Sequence, residues 1–445
     1  MQKLVYRTMA VLCTLVAGTP MGTNLGLVQV LWMLVSGHLL ETRGAVIPGL
    51  SRLGLGAAAV RRAWATLGQG RWQAAPLLEH WQALVSEEGQ WQAHQHAGYQ
   101  AVAVDVTAFW RPRLQGCATT HFDSRAGKAL PAIPVGIVAR TGSAGTQRLG
   151  LPLALVRADP TQTAHATAAH ETALLRAAVA VSGATDALVV DRGFGVRRLQ
   201  AAGATRYVAR LRENFSARRA QPPTYRGRGR RPVRGTVVRP LARRSRGRAL
   251  PVTEPDRVEC WTEAGVAVRA AVWEDLVLAD GASGAPTFAV VAIHDPRQRG
   301  PLLLASPLPV SARTLRDLYA DRWPVEQIPL VAKQLLGAGR QFVSAPETCQ
   351  RLPELALLAG CVLSYLAATT AAVPTGFWDR RPRATPGRLR RLLAQQSFPV
   401  DFPFSPHIRQ KRAVTCHLPT GFWAQRRPRS SPAPRIPVPS ARPAA

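Results

Sequence analysis

Within LYADRWPVEQIPLVAK, Leu318 to Lys333, a phenol, a guanidinium, a carboxylate and an ammonium recur at helical spacing. Tyr319, Arg322, Glu326 and Lys333 are separated by 3, 4 and 7 residues. At about 100° per residue on a helix, these offsets put all four within roughly 60° of one another, on one narrow face. Charges at such spacing usually mark nothing more than a solvated helix face. The stretch gains meaning only with further groups to act beside it.

Two upstream aspartates supply them. Asp105 lies in AVAVDVTAF and Asp191 closes DALVVD, ahead of Arg192 and Gly193. Both follow short, uncharged runs rich in Val and Ala and bounded by turn residues, which read as buried strands. A lone aspartate at a strand end is commonly a turn former or a helix cap. Three carboxylates on two strands and a later helix are also what a divalent-cation site needs, because Mg²⁺ takes oxygen ligands and leaves positions open for phosphate.

The order Asp105, Asp191, Glu326, with the third inside Y-x2-R-x3-E-x6-K and followed by Gln334-Leu335-Leu336-Gly337, resembles the DDE transposases of bacterial insertion sequences, in the subgroup with a tyrosine-arginine-glutamate-lysine signature. The resemblance runs from Tyr99 to Gly337. It implies a ribonuclease H-like catalytic domain whose neighbouring central strands bring the two aspartates together. Asp105, Asp191 and Glu326 would be both catalytic residues and metal ligands, holding two Mg²⁺ (or Mn²⁺) ions about 4 Å apart. Tyr319, Arg322 and Lys333 would contact phosphates at the transposon end. The partners implied are double-stranded DNA, as terminal inverted repeats and as target, and a second copy of the chain in a dimer on two ends. The same subgroup implies cut-and-paste transposition through a hairpin end, an N-terminal DNA-binding region, and a β insertion that helps hold the end.

The bounds of the chain agree with a polyanionic partner. Its 57 Lys plus Arg against 26 Asp plus Glu leave +31, and the pI is near 11.6, a balance suited to nucleic acid. Only four of those bases are lysine, Lys3, Lys128, Lys333 and Lys411, so codon bias explains arginine in place of lysine but not the two-to-one excess of base over acid. Six cysteines, Cys13, Cys117, Cys260, Cys349, Cys361 and Cys416, lie far apart with no zinc-type spacing and read as reduced thiols of a cytoplasmic protein. From Thr8 to Leu40 no Asp, Glu, Lys or Arg occurs. Thr19-Pro20 and Gly22-Thr23-Asn24 interrupt this apolar run, which favours a buried helix over Leu25–Leu40 above a signal peptide or membrane span. An exported or membrane-associated protein is therefore a minor alternative, and no membrane partner is expected.

The expected architecture is α/β, in five stretches: a helical N-terminal DNA-binding domain (1–98), a ribonuclease H-like catalytic domain in two parts (99–212 and 301–372), a β-rich basic insertion (213–300) and a disordered Pro/Arg-rich tail (373–445). Arg43 to Trp72 reads as a helix-turn-helix about Gly54-Leu55-Gly56, with Arg61, Arg62 and Arg71 free for phosphate. AVAVDVTAF, ALPAIPVGIVAR and LPLALVRA read as strands, Thr163–Ser182 as a helix and DALVVD as a returning strand. Asp191 and Glu326 are 135 positions apart, too many for a plain connection. RGTVVRPL, RVECWT, VAVRAAVWEDLVLA and PTFAVVAIHD supply antiparallel strands there, the last two joined by Asp280–Gly284. Arg206 to Arg248 holds fifteen arginines and one acid, Glu213, and reads as a loop able to track a DNA backbone. Trp261 and Trp273 suit either a stacking platform or a core. Ser311 is placed to cap a helix, and Pro324 to start the next. Pro329 falls mid-helix, where it costs about 3 kcal/mol unless the helix kinks. Leu355–Ala372 reads as an apolar core helix. PTGFW occurs twice, at Pro374–Trp378 and Pro419–Trp423, each copy followed by Arg-Pro-Arg.

Overall fold

A run of helices precedes the first long strand because the sequence up to residue 88 is apolar at helical period. The computed structural model describes residues 2–160, 166–225, 227, 232–245, 247–280, 284–372, 374 and 376–409. Helices α1 (Gln2–Leu15), α2 (Thr23–Val35), α3 (His38–Glu41), α4 (Val46–Ser51), α5 (Ala57–Gln69) and α6 (Ala74–Glu88) come first. The uncharged stretch ends up enclosed: eleven of the thirteen residues of α2 are buried, so a charge on nearly any side would lie in apolar surroundings. The helix expected over Leu25–Leu40 breaks at Ser36-Gly37, where Gly37 has φ +77. A second break, at Gly54 with φ +75, separates α4 from α5. Val60 and Leu67 of α5 are buried, and Arg61, Arg62 and Arg71 are exposed.

The chain then builds a sheet from β1 (Trp91–Ala93), β2 (Gln100–Trp110), β3 (Thr120–Asp123), β4 (Lys128–Ala144) and β5 (Gln147–Arg157). β2, β4 and β5 form an antiparallel meander. Helix α7 (Ala166–Val181) follows, and β6 (Asp186–Val190) returns parallel to β2. Helix α8 (Gly195–Ala201) leads to β7 (Tyr207–Arg210), parallel to β6. The start of the helix expected at Thr163 lies outside the described residues.

The insertion adds β8 (Ala217–Arg219), β9 (Val237–Val238), β10 (Arg243–Ser245), β11 (Arg248–Leu250), β12 (Arg257–Glu263), β13 (Val266–Leu278), β14 (Phe288–His294) and β15 (Leu302–Ser306). β15 pairs antiparallel with β7, so the inserted strands prolong the sheet. Among the described residues thirteen strands share it, in the order β1-β4-β2-β6-β7-β15-β14-β13-β8-β9, with β5 and β3 paired to β4 and β12 to β13. The fold is α/β with one large mixed sheet. Trp273 is core: it is 1 % exposed, and its Nε1 donates to the carbonyls of Thr253 and Glu254 at 3.0 Å. Of the expected Asp280–Gly284 connection, 281–283 lie outside the described residues.

Helices α9 (Ala312–Ala320), α10 (Pro324–Leu330), α11 (Pro346–Thr369) and α12 (Pro386–Ala394) complete the description, with a π-helical turn at Val331–Leu335 between α10 and α11. One face of the sheet, through Ala103, Phe109, Ile133 and Ile137, shares a core with the N-terminal helices, α10 and α11. The other face, through Val102, Val104 and Val138, packs on α7 and α8. α11 is the one described helix long and apolar enough to span a membrane, and 83 % of its most apolar window is buried within the protein.

The disordered tail expected from residue 373 needs correction. In α12, Leu389 and Leu393 are buried, as are Phe398 and Ile408 beyond it. Phe398 meets Trp32 at 6.4 Å and Phe402 meets Tyr6 at 5.7 Å between ring centroids. Four apolar anchors within twenty residues outweigh the Pro and Arg bias that suggested disorder. Residues 410–445, with the second PTGFW, lie outside the description.

Candidate active site

Side chains alternate along a strand, so Asp105, Thr107 and Phe109 leave β2 on the face where Ala103 and Phe109 join the α10 and α11 core. β2 and β6 pair in parallel with Val104 opposite Val190. One step further in the same register sets Asp105 beside Asp191, on backbones about 4.8 Å apart. Asp105 thus sits midway along β2, beside Asp191 just past the end of the neighbouring parallel strand β6.

The four signature residues do not share one helix. Tyr319 is on α9, Arg322 lies in the turn Asp321–Trp323, Glu326 is on α10, and Lys333 is in the π turn. The physical reason is local: Pro324 has no N–H to continue α9 and starts a new helix instead. The turn nevertheless brings the four groups to the aspartates. Tyr319 Oη donates to Asp191 Oδ1 at 3.3 Å. The Arg322 guanidinium is 6.0 Å from the Tyr319 ring centre and pairs with Glu326. Lys333 Nζ donates to Thr107 Oγ1 at 2.6 Å and lies 5.1 Å from the centre of the Phe109 ring.

Pro329 sits inside α10, and the π turn opens two residues later, where Leu336 N–H donates to the Val331 carbonyl at 3.1 Å. The wider turn absorbs the irregularity that a mid-helix proline imposes and leaves Lys333 facing β2. α10 comes close to the sheet because β5 offers Gly150: a Cβ there would meet Ile328 Cδ1 at 3.2 Å. Gly337, at φ +86, ends the π turn against the Leu40 backbone.

The electrostatics follow from this crowding. Burial pushes the Asp105 carboxyl up to about 6; the Arg322 charge and the Val106 N–H pull it down, while Glu326 and Asp191 push it further up. Asp191 and Glu326 therefore both act on Asp105. Burial also brings the Lys333 ammonium down to about 8, against the pull of Asp105. For Arg322 burial works against the cation, but Tyr319, Glu326, Asp105 and Asp191 together hold its pKa above the ordinary value. Tyr319 is raised by burial and by Asp191.

Among the described residues no three His, Cys, Asp or Glu side chains are gathered as a ready metal-ligand set. Glu326 is turned onto Arg322, and its side chain is 43 % exposed. The donors themselves suit a hard cation: three carboxylates supply anionic oxygen, and at Asp105 burial and like charge outweigh the pull of Arg322.

Some participants were not foreseen from the sequence. Arg210, at the end of β7, approaches Asp191 at 3.7 Å. Thr107 receives Lys333, and strand alternation from Asp105 could have pointed to it. Asp321, His94 and His96 form a cluster beneath the turn. No protein-family model matches this chain, and a comparison with curated proteins finds no relative.

Proposed function

We propose that this chain is the DNA transposase of an insertion sequence, with a ribonuclease H-like catalytic core that cuts at transposon ends and joins them to target DNA. The observation that carries the reading is the register of β2 and β6, which sets Asp105 and Asp191 side by side within electrostatic reach of Glu326. Two aspartates on neighbouring central strands are what the ribonuclease H-like resemblance calls for.

Asp105, Asp191 and Glu326 would hold Mg²⁺ or Mn²⁺. Such ions, when bound, supply Lewis acidity for in-line attack of water or a 3′-hydroxyl on a phosphodiester. The chain's own groups do the positioning. Arg322 offers a planar fork to phosphate oxygens and Lys333 a point charge, while Tyr319 keeps its proton and orients Asp191. Glu326 must exchange Arg322 for the cation, and an arriving phosphate gives Arg322 another anion to hold. The basic strands of the insertion and the exposed arginines of α5 supply salt-sensitive backbone contacts. A dimer on two DNA ends, acting in the cytoplasm, belongs to the same proposal.

The Arg322–Glu326 pair favours a second reading, a DNA-binding protein descended from a transposase that no longer cuts. A Mg²⁺-dependent nicking assay on duplexes made from the DNA flanking the reading frame separates the two. Cleavage that disappears in Asp191→Ala is expected; binding without cleavage, unchanged by that substitution, would refute the enzyme. The flanking DNA should also carry terminal inverted repeats.

A further inference from the structure

Asp321 is 3 % exposed, and a carboxylate removed from water must find donors or lose its charge. It finds three, on two distant stretches. His94 Nδ1 donates to Oδ1 and Oδ2 at 3.0 and 3.1 Å, His96 Nε2 donates to Oδ2 at 2.7 Å, and Arg148 of β5 donates to Oδ1. The carboxylate can only accept, so Nδ1 carries the shared proton, and His94 turns its other nitrogen to Ser143 Oγ at 2.7 Å, which holds the ring's orientation. The backbone is tied as well: Thr141 Oγ1 donates to the Asp321 carbonyl at 2.8 Å, and Arg148 donates to the Ala320 carbonyl at 3.0 Å. His96 is itself fixed by paired backbone bonds with Tyr99, at 2.8 and 3.0 Å, just before β2 begins.

These bonds converge on the turn between α9 and α10. Tyr319 is in the last turn of one helix, Arg322 follows Asp321 directly, and Glu326 is on the first turn of the next. None of the bonds made by His94, His96, Arg148 or Thr141 to this turn reaches Asp105 or Asp191, which the sheet itself positions. We infer that Asp321, with His94 and His96, is a positioning cluster that holds the turn bearing Arg322 and Glu326 against the sheet, so that the third carboxylate faces the aspartate pair. This inference rests on the reading of Asp105, Asp191 and Glu326 as one site and names residues outside the signature that complete it. The donor chemistry makes it specific: His94 acts through Nδ1–H, which an asparagine amide can imitate, and His96 through Nε2–H, which a glutamine amide can imitate.

The test uses the full-length chain and compares Asp321→Ala, Asp321→Asn, a double alanine variant at His94 and His96, and the conservative pair His94→Asn with His96→Gln. Two readouts are independent. Hydrogen exchange should show the peptide over residues 319–326 opening about tenfold faster in the alanine variants, with the peptides over 100–110 and 186–191 unchanged. Single-turnover nicking of the flanking-DNA duplex should fall about 100-fold while its affinity stays within about threefold, because a displaced group costs rate rather than binding. The conservative pair should restore both. Exchange over 319–326 that is unaltered in a folded Asp321→Ala or Asp321→Asn protein would overturn the inference, as would a conservative pair as impaired as the alanines. If the wild type never cleaves yet exchange responds as described, the positioning role stands and the enzyme reading falls.

Discussion

Asp321, in the signature stretch, and Asp105, on β2, are two carboxylates drawn out of water, and folding drives their proton affinities in opposite directions. At Asp321 burial raises the pKa, but His96 and His94, with the Arg148 charge, bring it below the ordinary value. At Asp105 burial dominates; the Arg322 charge and the Val106 N–H answer it only in part, and two further carboxylates push the same way as burial. The number of donors aimed at the oxygens decides the sign. A carboxylate that the protein satisfies in full is part of the framework. One left short of positive charge is equipped to receive some from outside, which separates these two residues although both read as acids in the sequence.

The contrast breaks most severely if the deficient carboxylates are removed. Asp191→Asn and Glu326→Gln should each lower Mg²⁺-dependent nicking about 1,000-fold or more while leaving duplex affinity nearly intact, as read by single-turnover cleavage beside equilibrium binding. The framework carboxylate should show its role in stability instead. Asp321→Ala should cost on the order of 2 kcal/mol in denaturant unfolding at pH 7, below the usual cost of breaking a buried pair because Arg148 is 41 % exposed and can rehydrate.

Asp105→Asn should do the opposite. With a folded-state value of about 6 against an ordinary 3.8, the native protein keeps this proton to higher pH than the unfolded chain does. Its contribution is therefore present below about 4 and is lost as pH rises through 6. Without metal, Asp105→Asn should unfold at higher denaturant concentration than wild type at pH 7.5, by roughly 1–2 kcal/mol, and show no gain at pH 4. The smallest effect belongs to Lys333, whose ammonium titrates at about 8. Duplex affinity should weaken as pH rises past 8 in the wild type and hold steady in Lys333→Arg; Lys333→Met should reduce the salt slope by about one counterion.

Strands that carry their own pattern were legible in the sequence. AVAVDVTAF and DALVVD announce themselves by β-branched runs, and Ser311 accepts from the Thr314 N–H at 3.2 Å as a cap should. β7 and β15 were missed because YVAR and LLLAS are short and lack the Val-rich run, closed by an Asp, that marked DALVVD. The break at Asp321–Trp323 was missed because the spacing of four functional side chains suggested a continuous helix, although Pro324 marked the boundary. The cluster under that turn could not be read at all: His94 and Asp321 are 227 positions apart, and neither has a local motif. The packing of α12 escaped notice because Leu389, Leu393 and Phe398 are scattered among arginines and prolines.

The succession of paired strands from β6 to the arginine-bearing β8 acts as a ruler. Passing through β7, β15, β14 and β13, β8 stands five strands along from β6, a span of about 24 Å at ordinary strand spacing. On a duplex with 3.4 Å between successive phosphates of one strand, that is roughly seven base pairs. An oligonucleotide long enough to reach from the carboxylates to that edge should protect both zones from chemical footprinting, and a shorter one only the first.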